Sequence, residues 1–192
     1  MSNNVMKSKK DFRNAYNALH DNIGAGAGTG VSVTNSYGFQ KSIIKFVNTP
    51  IVMADEAGVV AYGGLKIFDF PAGSLVIQGA TADIAVTKSS AGIIATFDGD
   101  FALGTAAAAN DATLTSTEAN IIPSTATPQA VSGATTAKGR STAALLLDGT
   151  TTAADLYINF LVDDADHDVT TTPANLILNG TVTVLWANMG DY

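Results

Sequence analysis

The chain has 192 residues, 46% of them hydrophobic and only 14% charged, with no cysteine; a chain this long buries roughly 70% of its unfolded surface as one domain. The missing thiols exclude disulfides, thiol catalysis, iron–sulfur clusters and cysteine-type zinc sites. The net charge of −7 divides unevenly: residues 1–50 carry six Lys or Arg against two Asp, a balance of +4, which leaves −11 for the rest and argues against nucleic-acid binding by the main body.

The opening stretch MSNNVMKSKK has basic residues without an apolar core behind them, so it does not read as a secretory signal. No apolar run in the chain approaches the ~18 residues a membrane-spanning helix requires, and no membrane partner is expected. Residues 11–23 place Phe12, Tyr16, Leu19 and Ile23 at spacings of four, three and four, which predicts an amphipathic helix. GAGAGTG at 24–30 follows as a flexible tether. Residues 1–30 are therefore expected to form an N-terminal arm, and 31–192 a separate β-domain.

From Val31 onward the pattern is almost entirely strand. VSVTNSY, KSIIKFVN, PIVMA, GVVAY, LKIFDF and SLVIQ are short β-branched or aromatic runs, punctuated by Gly63-Gly64 and by Pro71-Ala72-Gly73. DIAVT (83–87) alternates, with Ile84 and Val86 on one face, and GIIATF and DFAL flank Asp98-Gly99. Residues 105–140, rich in Ala, Thr, Ser, Gly and Pro, read as a long connection with one or two short strands that crosses between sheets. The Ala run 106–109 is the one alternative helix start in the body.

Asp98-Gly99, Asp148-Gly149 and Asn179-Gly180 each match the positive-φ demand of a two-residue hairpin turn. The last is the cleanest, with NLIL before it and TVTVLW after it. There Val182, Val184 and the only Trp, Trp186, share one face. About ten strands without helical alternation predict an all-β fold, a jelly-roll or Greek-key β-sandwich, with a plain immunoglobulin-like sandwich as the alternative.

Candidate chemistry is sparse, and no enzyme activity is expected. The 31 Ala, 23 Thr and 18 Gly suggest a weakly polar surface suited to repeated contact with neighbouring subunits. Asp164, Asp166 and Asp168, next to Asp163, have the alternating carboxylates of a calcium loop, and they are the one weak metal candidate. An EF-hand is excluded because its sixth and twelfth positions would be Val169 and Asn175; a solvated acidic loop is the favoured reading. No cofactor is implied. His20 and His167 are assigned surface roles, and His167 between two Asp should hold its proton to somewhat higher pH. Ser42-x-x-Lys45 is a chance match to a penicillin-recognising motif, the Gly tether lacks the Lys of a phosphate cradle, and the sequon Asn179-Gly180-Thr181 is explained by its turn. Phe68, Phe70, Phe97, Phe101, Phe160 and Trp186 are assigned to the core, and Tyr157 is nominated as an interface residue.

Four stretches, LKIFDFPAGSLVIQGA, TLTSTEANIIPSTA, DGTTTAADLYINFLVDDADHD and LNGTVTVLWANMGDY, resemble small structural proteins of tailed-phage heads. The resemblance covers roughly Gly64 to Tyr192 and not the arm. It implies a decoration or cement protein of the virion: assembled in the host cytoplasm, seated on the capsid surface, bound to the major capsid protein and often trimeric. On that reading Phe12, Tyr16, Leu19 and Ile23 dock on the capsid protein while Lys9, Lys10 and Arg13 meet acidic groups there. A head-fibre, tail or receptor-binding component, or a calcium-dependent binding module, are the alternatives.

Overall fold

The computed structural model describes residues 25–26, 31–36, 40–56, 59–109, 112–168 and 174–190. The predicted arm helix and its contact residues Lys9, Lys10, Phe12, Arg13, Tyr16, Leu19 and Ile23 lie outside them, as does His20. The chain is all-β. Its strands are β1 (Ala25–Gly26), β2 (Val31–Ser36), β3 (Gln40–Glu56), β4 (Val60–Asp69), β5 (Gly73–Lys88), β6 (Gly99–Gly104), β7 (Ile122–Thr127), β8 (Ala134–Arg140), β9 (Leu145–Gly149), β10 (Asp155–Asp163) and β11 (Ala174–Gly190). Among the described residues the only helical pieces are two 3₁₀ turns, Ser116–Glu118 and Asp164–Asp166. None of these is long and apolar enough to cross a membrane.

Eight strands form two antiparallel sheets in the order β3-β11-β5-β8 and β4-β10-β6-β7. The pairs β3/β11, β4/β10, β5/β8 and β6/β7 are nested one inside the next along the chain, which is the strand order of a jelly roll. We call the first sheet B and the second sheet A. β2 extends sheet B beyond β3, β9 continues the β8 edge along β5, and β1 adds to β4 within the predicted tether. The end of β3 crosses to sheet A, where Ala54, Asp55 and Glu56 pair with β4. The free edges β7 and β8 close on each other by side-chain packing: a Cβ on Gly139 would lie 2.7 Å from Phe101 Cζ and 2.9 Å from Ile122 Cγ2.

Long strands must keep their apolar residues inward, and bulges do this. Ser42, Ile44 and Phe46 are buried on β3, but beyond the bulge the buried set is Thr49, Ile51 and Met53. Val47 and Asn48 together oppose the single residue Asn179, and the extra residue moves the inward phase from even to odd positions. β5 changes phase the same way at Gln78, from Leu75 and Ile77 to Ala80, Ala82, Ile84 and Val86. In the core, Trp186 packs edge-on against Phe68 and Phe70 with ring centroids 6.0 and 5.4 Å away, and its buried indole N–H donates to Ser42 Oγ at 2.9 Å. The expected core aromatics Phe97, Phe101 and Phe160 are buried as well.

Three sequence expectations need correction. None of the Asn-Gly or Asp-Gly pairs makes a two-residue hairpin, because consecutive strands of a jelly roll mostly cross to the opposite sheet. Asn179-Gly180 lies inside the unbroken β11, where Gly180 has φ +122° and Asn179 Oδ1 accepts the N–H of Asn48 (φ +49°) at 2.9 Å. Gly99 opens β6, and Asp148-Gly149 ends β9 in a turn in which the Asp148 carboxylate accepts from Thr150. Second, KSIIKFVN with PIVMA, VAY with LKIFD, and SLVIQ with DIAVT are each one strand. Gly63-Gly64 marks close packing rather than a turn, since a Cβ on Gly63 would lie 2.7 Å from Met53 Sδ. Third, GIIATF is not a strand: it plugs one end of the sandwich with the buried Ile93 and Phe97. The Ala run 106–109 is irregular chain, and the 105–140 connection contains β7 and β8.

Gly180→Ala tests the bulge, because its Cβ would run into the Asp83 carbonyl at a positive φ. We expect a loss of about 1–3 kcal/mol in urea unfolding; an unchanged midpoint would refute the constraint.

Candidate functional site

The outer faces of the two sheets differ. Over sheet A the segment 105–121 is held down by Asn159, fully buried on β10. Its Nδ2 donates to the carbonyls of Ala106 (2.9 Å) and Glu118 (2.8 Å), and its Oδ1 accepts from Ala108 N–H (2.8 Å). The buried Glu118 carboxylate accepts from Ala109 N–H at 2.6 Å, and Val60, Ala102, Leu114 and Leu161 form a second apolar cluster under the segment. Both faces of β10 are thereby buried.

Over sheet B no such segment lies among the described residues. Leu185 and Leu146 point outward, 40% and 71% exposed, beside half-buried Val76 and Ala187, which pair across β9, β5 and β11 in the row Leu146–Val76–Ala187. Farther along β11 the face carries Thr181 and Thr183. Where it meets β7, a groove of about 650 Å³ opens, lined by five threonines with Asp83, Lys138 and Arg140 among its walls. Lys138 Nζ lies 2.8 Å from Asp83 Oδ2, and both side chains are well exposed. On sheet A, Lys66 is bonded to Asp69 and Asp155, which hold its ammonium well above the ordinary lysine range. The nominated Tyr157 is half-buried, with its hydroxyl 3.4 Å from Asp155 Oδ2; burial, then the Asp155 charge, raises its pKa.

One end of the sandwich is acidic. The 3₁₀ turn Asp164–Asp166 folds toward the start of β6, where Asp166 Oδ2 accepts the Asp98 N–H at 2.8 Å. Burial, a bond to Asp166, and the charges of Asp163 and Asp166 raise the Asp98 carboxyl above its ordinary 3.8. Burial and then Asp163 raise Asp100, against a lowering bond from Ser124. The metal candidates Asp164, Asp166 and Asp168 do not converge: no group of three or more acidic or His side chains suited to a cation forms among the described residues. His167 is half-buried rather than a surface residue, with both ring nitrogens enclosed and unbonded, and its backbone bridges to Ile93. Ser42, half of the chance Ser-x-x-Lys match, is buried under Trp186.

No protein-family model matches the chain, and no curated protein is significantly similar to it. The sequence reading missed Asn159, Glu118 and Arg140. Asn159 carried a signal, a polar residue within the apolar run INFLV, whereas the groove joins residues from four strands that no local pattern connects.

Two predictions follow from these contacts. Asn159→Ala leaves the carbonyls of Ala106 and Glu118 and the Ala108 N–H without their partner; at about 1–3 kcal/mol for each unsatisfied buried group, limited proteolysis should begin to cut within 105–121 while the β-core stays intact. Resistance equal to the parent would reject the clamp. For pH, the raised Asp98 and Asp100 mean that the fold binds protons more tightly than the unfolded chain, so stability falls as pH rises from 3.8 through their folded pKa values. Asp148, held below 3.8 by Thr150, acts oppositely: its contribution is present above 3.8 and is lost on acidification below it. As pH rises above 3.8 through those folded pKa values, the melting temperature of the parent should fall relative to that of Asp98→Asn, which lacks the raised carboxyl. A parent curve that rises with pH relative to that of the variant over this range would overturn the assignment.

Proposed function

We propose that the protein is a non-enzymatic structural component of a tailed-phage virion that decorates the capsid surface by binding the major capsid protein. The observation that carries this reading is the outer face of sheet B, uncovered among the described residues, with Leu146 and Leu185 pointing outward from it. Apolar side chains on an uncovered sheet face mark an interaction surface. The stretches that resemble phage-head proteins build β4, much of β5, β7, β10 and β11, so they lie in both sheets of the jelly roll. The arm supplies a second attachment, and two linked contacts hold more firmly than either alone.

The test is occupancy on purified heads of the phage that carries the gene. Leu146→Asp with Leu185→Asp is expected to weaken binding at least tenfold, since burying one Leu contributes about 1.5–3 kcal/mol, and removal of residues 1–30 is expected to lower occupancy further. Wild-type occupancy for both variants, or no binding by the parent chain, would reject the reading.

A further inference from the structure

Residues 31–192 contain 15 acidic residues and six cations, Lys41, Lys45, Lys66, Lys88, Lys138 and Arg140. Three of the cations are engaged within the chain: Lys66 with Asp69 and Asp155, Lys88 with the Ile93 carbonyl at 2.6 Å, and Lys138 with Asp83. Arg140 has no partner among the described residues, although it lines a groove of about 650 Å³ in an acid-rich body. The opposite deficit exists at the end of the sandwich. Asp163 and Asp164 are exposed, Asp163 raises the pKa of both Asp98 and Asp100, and no ion pair with a cation relieves the group among the described residues.

We propose that the Arg140 groove is a docking site for the acidic turn Asp163–Asp166 of a second copy of this chain. Each surface supplies what the other lacks. A guanidinium accepts a carboxylate through two parallel hydrogen bonds, and threonine hydroxyls on the groove walls can donate to the remaining oxygens. Lys138 adds a second cation at little cost, because its pair with Asp83 is exposed and such pairs contribute only about 0–1 kcal/mol. The groove volume of about 650 Å³ falls within the range that seats a compact ligand. Groove and turn are different surfaces, so the contact either pairs reciprocally across a two-fold axis or runs head to tail into a ring. The proposal stands apart from the capsid reading and does not require it.

Sedimentation velocity of the full chain at low and high salt tests it. The expected result is reversible self-association that weakens with added salt, because contacts between exposed charges are screened over about 8 Å at physiological ionic strength. Arg140→Glu and Asp164→Lys should each weaken association at least tenfold, and Arg140→Glu combined with Asp164→Lys should recover most of it. Both positions are exposed, and an unchanged melting temperature shows that the variants fold. A chain that stays monomeric at low salt, association indifferent to both reversals, or a combination no better than either single change would overturn the proposal. Binding of a free Asp-rich peptide at the groove without self-association would overturn the second copy as its occupant.

Discussion

The pairing of the first long strand with the last determines this structure. β11 lies between β3 and β5 and bonds to both along nearly its whole length, so residues from the two ends of the β-domain meet at the centre of sheet B. Trp186 and Ser42, 144 positions apart, share a buried hydrogen bond there. Once these strands are joined, the remaining pairs nest within them and the chain rolls into two facing sheets. Such non-local pairing carries a loop-closure cost before any contact repays it, which places the fold among slowly folding topologies.

The long pairings also explain the irregularities. A strand of 17 residues that twists around a core drifts out of phase with its partner, and a single slipped residue would turn every apolar side chain outward. Bulges at Val47-Asn48 and at Gln78 absorb the drift, and Gly180 is the glycine that allows β5 to pass close to β11 at that point. Residues that look like turn formers are therefore used within strands, where their tolerance of positive φ and close approach serves register instead of reversal.

The two sheets share a core but present different exteriors. Sheet A is covered by the described parts of 105–121, to which the side chains of Asn159 and Glu118 bond through the backbone of Ala106, Ala108, Ala109 and Glu118. Among the described residues sheet B is uncovered, with threonines, scattered apolar side chains and a cationic groove. Asp98, Asp100, Asp163 and Asp166 gather where the Asp164–Asp166 turn meets the start of β6. The two outer faces are therefore chemically distinct surfaces.

Strand content, the inward faces of DIAVT and TVTVLW, the core aromatics and the crossing character of 105–140 were legible in the sequence because each depends on local alternation or composition. Local pattern also located the exposed acidic turn. It did not reveal that KSIIKFVN and PIVMA are one strand, that Asn179-Gly180 lies inside a strand, or that His167 is enclosed, since each depends on what lies opposite in the folded chain. The groove is the clearest case: Thr81, Thr125, Arg140 and Thr183 come from four strands far apart in sequence. The sequence by itself determined which residues avoid water and that they do so on strands. Only the tertiary structure decided which strands adjoin, because antiparallel pairing is set by the closure of the whole sandwich and not by any segment alone.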